Sequence, residues 1–147
     1  MIREAEIKDC RELAYLMKTL GYPTTTQSME KRLNTLLPRS DYQTFVYERE
    51  QKLLGMIGMM FSYAYHTEDT HVRVIAFVVS EQAQGKGIGR LLLNETEQWA
   101  RKKGANRVTL NSGNRSERSQ AHSIYNHLGF EGRATGFYKE IESEPYP

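Results

Sequence analysis

The hexapeptide Gln84-Gly85-Lys86-Gly87-Ile88-Gly89 combines backbone freedom with positive charge, which suits the binding of an anion. Ahead of it stands an apolar run, Val74-Ile75-Ala76-Phe77-Val78-Val79. Behind it, Ile88, Leu91, Leu92, Trp99 and Ala100 recur at helical spacing. That order reads as a buried strand, a glycine-rich turn and an amphipathic helix. A helix start leaves several backbone N–H groups without intrahelical acceptors, and the helix adds roughly half a positive charge there. Glycines also serve ordinary turns that bind nothing. The flanking strand and helix favour a phosphate site.

Two nucleotide motifs do not fit. A P-loop needs Ser or Thr directly after Gly-Lys, and here Gly87 follows Lys86. A dinucleotide fingerprint follows the first strand of a βαβ unit and has an acidic residue about twenty positions on, which residues 101–106 do not supply. Metal chemistry lacks ligands at useful spacing. His66 and His71 flank a turn, while His122 and His127 point to different sides of one helix. No Ser-His-Asp grouping emerges from spacing. Cys10, the sole cysteine, rules out an internal disulfide and fits a reducing, cytoplasmic setting; a small apolar filler is its simplest role.

These groups need a scaffold, and 147 residues suffice for one domain with a real core. The composition is that of a soluble globular protein, with 39% hydrophobic and 26% charged residues. No apolar run approaches the ~20 residues that span a bilayer, and the acidic N-terminus is no signal peptide. Between Gln84 and Arg118, eight lysines and arginines face three glutamates. Arg101-Lys102-Lys103 fits the last turn of a helix, where cations are favoured. Lys86, Arg90 and Arg118 sit where an anionic ligand is expected. Nucleic acid is a poor candidate, for the net charge is only +2 and no reading module is present.

The pattern predicts a strand over residues 1–6, then a helix carrying the stripe Leu13, Leu16, Met17 and Leu20, stopped by Gly21 and Pro23. Met29, Leu33, Leu36 and Leu37 mark a second helix, entered through Thr24-Thr25-Thr26 and halted at Pro38. Residues 44–49 and 53–65 form a hairpin, and 72–79 is a central strand apolar on both faces. A helix over 88–103 closes at Gly104, and 107–110 is a short strand. Ala121, Ile124, Tyr125 and Leu128 stripe a last helix capped by Gly129. Residues 130–133 and 137–141 make a closing hairpin. No linker or repeat divides the chain, so residues 1–147 form a single domain.

Gln84-x-x-Gly87-x-Gly89, after an apolar strand and before a helix, resembles the acyl-CoA signature of the GNAT superfamily of N-acetyltransferases. A second block, Arg118-Ser-Gln-Ala121-His122-Ser-Ile-Tyr125-Asn-His-Leu-Gly129-Phe130, resembles that superfamily's last-helix pattern. Together they cover residues 72–141; the first 70 match only in layout. The resemblance implies an α/β fold with a mixed, mostly antiparallel seven-stranded sheet flanked by about four helices. It implies acetyl-CoA as co-substrate, no metal, and direct transfer to a primary amine of a small molecule or peptide. Phe77, Val78, Val79, Gln84, Gly85, Lys86, Gly87, Ile88, Gly89, Arg90 and Arg118 are the expected cofactor contacts. Pantetheine would pair with Val78 and Val79 like an added strand, and a backbone N–H near Val79 would face the oxyanion.

Tyr125 matches the superfamily tyrosine near the thioester sulfur, although it also belongs to the apolar stripe of its helix. A phenol of pKa ~10 protonating a thiolate of ~8.5 is uphill by only about 2 kcal/mol, so a positioned Tyr125 can serve as the acid. Many relatives carry a glutamate midway along the central strand; here that stretch reads Ile75-Ala76-Phe77, so the resemblance assigns no base. Tyr65, His66, Glu68, Asp69 and His71 lie near the preceding turn and could line the acceptor pocket. Residues 20–38 and the closing hairpin usually shape that pocket, but show no telling pattern. The missing carboxylate leaves a non-catalytic acyl-CoA sensor as the alternative. A homodimer is the assembly common among such proteins.

Overall fold

The structure, a computed structural model, describes residues 1–111, 125, 129–131 and 137–141. Two compact units divide the chain, Met1–Leu110 and Asn111–Pro147.

The first unit is a five-stranded sheet in the order β1-β2-β3-β4-β5. Its strands are β1 Ile2–Glu4, β2 Tyr42–Arg49, β3 Lys52–Tyr63, β4 Thr70–Val79 and β5 Arg107–Leu110. All neighbours are antiparallel except β4 and β5. A parallel pair needs a crossover, which is helix α3, Ile88–Lys102. Helices α1, Cys10–Leu20, and α2, Thr26–Leu36, lie between β1 and β2 in sequence.

Side-chain alternation explains which face each helix covers. On β3, a Cβ at Gly55 would meet Ile88 and Leu92 of α3, whereas Met56 packs in the cluster of Leu13, Leu16, Met17, Met29 and Leu33 from α1 and α2. Odd positions from 55 to 63 therefore face α3, and even ones face away from it. Burying a Leu or Ile such as Leu13, Leu33, Ile57 or Leu92, all essentially inaccessible, contributes about 1.5–3 kcal/mol each.

The ladder of β3 with β4 contains one irregularity. Gly58 pairs with Ala76 and Met59 with Val74, so Ile75 is an extra residue on β4. Such a bulge reverses the alternation beyond it. Val72 and Val74 share the α3 face with Phe61 and Met59, yet Ala76 and Val78 join the α1–α2 cluster. A central strand apolar on both faces was expected; instead Arg73 is exposed, and the strand begins at Thr70.

Several predicted punctuation marks appear as hydrogen bonds. Thr25 caps α2, its Oγ1 accepting the Ser28 N–H at 3.1 Å. Gly21 ends α1 and Gly104 follows α3, each left-handed. The next N–H reaches back five residues, from Tyr22 to the Met17 carbonyl and from Ala105 to that of Ala100, both 2.9 Å. The far edge of the sheet is held by Arg3, whose guanidinium grips Asp9 with two 2.9 Å bonds and Glu48 with one of 2.9 Å. Burial of Asp9 disfavours its charge. The Arg3 bonds and the Glu6 N–H at 2.8 Å outweigh that and hold it below the usual carboxylate range.

In the second unit Tyr125 is helical, and the Phe130 N–H donates to its carbonyl at 3.0 Å across the left-handed Gly129. This is the same helix ending as in the first unit. The Tyr125 and Phe130 rings meet edge-on at 6.2 Å.

The seven-stranded, four-helix expectation is corrected: the described residues hold five strands and three α-helices. Residues 137–141 are described but form no strand, because a strand exists only where a partner pairs with it, and none does among the described residues. The rest of the closing hairpin and of the last helix, with Arg118, lies outside the described residues. No helix among the described residues is long and apolar enough to cross a membrane.

Candidate active site

Among the described residues, the ladder between β4 and β5 reaches the bulge: it runs from His71 opposite Arg107 to Val74 opposite Leu110, the last residue of β5. The segment 75–79 then leads through the short 3₁₀ turn Glu81–Ala83 to the glycine turn. Strand, bulge and glycine turn thus lie in one continuous track.

At the glycine turn, Gly85 and Gly87 have φ of +80° and +83°, and a Cβ at either would meet no atom of the described residues within 4 Å. Open space therefore sits above the turn, and it is the left-handed backbone, not crowding by the protein, that demands glycine at 87. No side chain caps α3. Its first N–H groups have no intrahelical acceptor by geometry, and the first intrahelical bond is Leu91 N–H to Gly87 O at 3.1 Å. Lys86 and Arg90 are exposed beside this end, with no ion pair among the described residues. Donors, positive charge and open space together fit a diphosphate, the anionic portion of CoA.

Gly89 serves a different purpose. A Cβ there would lie 3.3 Å from Phe77 Cζ and 3.8 Å from Val79 Cγ2, so its absence lets α3 approach β4 closely. Ile88 is buried beneath the turn and anchors it. Gln84, expected as a cofactor contact, has its side chain engaged with the protein: Nε2 donates to the Val79 carbonyl at 3.3 Å. That bond ties the end of β4 to the turn.

Phe77 and Val79 thus lie on the α3 side and Val78 on the other. Among the acceptor-pocket candidates, His71 is a half-buried β4 residue, whereas Tyr65, His66 and Glu68 belong to the exposed β3–β4 connection. Asp69 is occupied in accepting a 2.9 Å bond from Asn106 Nδ2. Among the described residues no group of three or more His, Cys, Asp or Glu is placed to hold a metal.

Sequence reasoning missed the Ile75 bulge and the Gln84 brace. The alternation of Val72-Arg73-Val74 followed by an unbroken apolar run was the available signal for the bulge. Nothing local announces the brace.

Comparison with known proteins agrees with this arrangement. Residues 7–130 match the model of the acetyltransferase (GNAT) family. The uncharacterized N-acetyltransferase YhdJ of Bacillus subtilis (strain 168) is 25% identical over 127 residues, covering 86% of this chain and 87% of that protein. A GNAT family acetyltransferase from Staphylococcus aureus is 28% identical, with a TM-score of 0.81 over 96% of this chain and 98% of its own. An aminoglycoside acetyltransferase from an uncultured soil metagenomic sample, solved with sisomicin, shares the fold at 19% identity. Its TM-score is 0.78, over 97% of this chain and 96% of its own. The chain belongs to the GNAT family of acetyltransferases and is an acyltransferase enzyme.

Proposed function

We propose that this chain, acting as one domain, acetylates a primary amine by direct transfer from acetyl-CoA. The observation that carries this reading is the conjunction of three features: among the described residues β5 pairs β4 only as far as Val74, the bulge falls at Ile75, and the track beyond reaches an open glycine turn. When bound, acetyl-CoA supplies an activated thioester acyl group.

The remaining chemistry falls to the chain. Backbone N–H groups of Gly87, Ile88 and Gly89, with Lys86 and Arg90, hold the diphosphate. Val78 and Val79 pair the pantetheine arm as an added strand. A bulge leaves the backbone of its extra residue out of the ladder. The Ile75 N–H is therefore an oxyanion donor beside the backbone N–H near Val79. The amine must arrive neutral: a lysine-type group of pKa ~10.4 is so about once in 2,500 at pH 7. As the new C–N bond forms and the C–S bond breaks, the amine gives its extra proton to solvent water. Tyr125 gives its phenolic proton to the departing sulfur and regains one from solvent, so the products are the acetylated amine and free CoA thiol. Arg118 is a further proposed cofactor contact, and a small molecule or peptide is the acceptor.

Thiol release from acetyl-CoA with a panel of amines tests the reading. Tyr125→Phe is expected to lower kcat at least tenfold while acetyl-CoA affinity, measured by calorimetry, changes less than twofold. Equal turnover in both proteins would remove Tyr125 from the mechanism. CoA binding without thiol production from any amine would leave the sensor.

A further inference from the structure

We infer that the acceptor carries an anionic oxygen group, carboxylate or phosphate, which Arg73 and Arg107 hold on the sheet face turned away from α3. The inference rests on the acetyl-transfer reading and adds to it the substrate class.

The argument begins with register. Arg73 pairs with Met60, and His71 with Ser62, both even positions of β3 and so on the face away from α3. Across the parallel ladder His71 stands opposite Arg107, and Arg73 opposite Thr109. The same parity sets the apolar Val72, Val74, Val108 and Leu110 against α3. His71, Arg73, Arg107 and Thr109 therefore share one face on two adjacent strands. Arg73 and Arg107 are diagonal neighbours, about 8 Å apart at Cα from the strand spacing and rise. Guanidinium groups on side chains of that length can converge on one oxyanion.

Among the described residues, no helix covers the place where these residues stand. The α1–α2 cluster meets the sheet at Val46, Leu53, Met56, Ala76 and Val78, which lies past the bulge from Arg73. Arg73 and Arg107 are both exposed. Neither has an ion pair or a side-chain hydrogen bond among the described residues, in contrast to Arg3 and Arg39. Among the described residues this face of β2, β3, β4 and β5 presents no carboxylate in the region, its other residues including Tyr42, Thr44, Met60 and Ser62; the nearby Asp69, in the β3–β4 connection, is engaged by Asn106 Nδ2. Ordinary sheet surfaces mix signs, and a one-sign surface is a means of attracting the opposite charge.

Position turns the cationic face into a statement about substrate. Arg73 is two residues from Ile75, about 7 Å along the strand. The bulge is where the acyl carbonyl is expected. An oxyanion held by the two arginines would therefore sit one short linker from the reacting amine. Like-charge repulsion at the same place disfavours a polycationic acceptor, such as an aminoglycoside.

Matched acceptors test this: glycine against glycinamide for carboxylate, and phosphoethanolamine against ethanolamine for phosphate. We expect wild-type kcat/KM to favour the anionic member of at least one pair by tenfold or more, the pair identifying the anion. In Arg73→Gln and Arg107→Gln that preference should shrink at least fivefold, and in Arg73→Glu it should reverse. No preference in either pair, or a preference untouched by the variants, overturns the proposal. A second arm is independent of turnover. With CoA saturating the glycine turn, inorganic phosphate or acetate is titrated while amide shifts are followed by NMR. Shifts at 71–73 and 107–109 that vanish in Arg73→Gln support the site; none in the wild type overturns it. Should every amine fail while anions still bind, the transfer reading falls and the anion site stands.

Discussion

The two halves of β4 contrast sharply. Residues 70–74 lie between β3 and β5, with Val72 wholly buried and the alternation regular. Residues 76–79 keep the β3 ladder, have no β5 partner among the described residues, and change which side chains face α3. One inserted residue, Ile75, separates them, and it is 48% exposed. The first half is built for stability. The second has a strand partner on one side only among the described residues, and the proposed reading places an extended ligand on the other.

The comparison can be broken most directly by removing Ile75. Its deletion leaves Val74 opposite Met59 and Ala76 opposite Gly58 in an unbroken ladder, so Ala76 and Val78 keep their face while the unpaired backbone of the extra residue is lost. We expect a cooperative urea transition to persist and turnover of acetyl-CoA to fall by about a hundredfold or more. Wild-type turnover in the deletion variant would show that the bulge contributes nothing to the reaction.

A substitution far from either half sharpens the contrast. Arg3→Ala strands Asp9, which is only 3% exposed, and should cost about 3 kcal/mol in urea unfolding. CoA affinity should stay within twofold. The same cluster makes stability depend on pH. Because the folded pKa of Asp9 is depressed, its contribution is present above the unfolded value of about 3.9 and is lost as pH falls below it. Acid titration of Arg3→Ala should show a smaller loss over that window.

Smaller still is the effect expected at the turn. Gly87→Val places a β-branched residue at φ +83°, a strain of about 1–3 kcal/mol. Calorimetry should find CoA bound at least tenfold more weakly, with the Arg3 cluster undisturbed. Unchanged affinity would remove the turn from the site.

What the sequence revealed, and what it concealed, follows the same physical division. Gly21, Gly104 and Gly129 marked helix ends because a left-handed residue after a helix is a local demand. Thr25 marked a helix start for a similar reason. The glycine turn was readable from its neighbours. The bulge was not, because it is a property of pairing between β3 and β4: the alternation of Val72-Arg73-Val74 hints at it, but the apolar run that follows does not fix where the extra residue falls. The Gln84 bond to Val79 likewise needs two segments brought together. The cationic face was hidden because Arg73 and Arg107, far apart in sequence, become neighbours only through the parallel crossover. The seven-strand expectation relied on a closing hairpin of which only residues 137–141 and part of the first strand are described.

Amide hydrogen exchange along β4, with and without CoA, tests the central claim most directly. The account predicts slow exchange at Val72 and Val74 in both states, and protection at Ile75 and Val78 that rises at least tenfold when CoA binds. Bound CoA that leaves Ile75 and Val78 exchanging as before would contradict it.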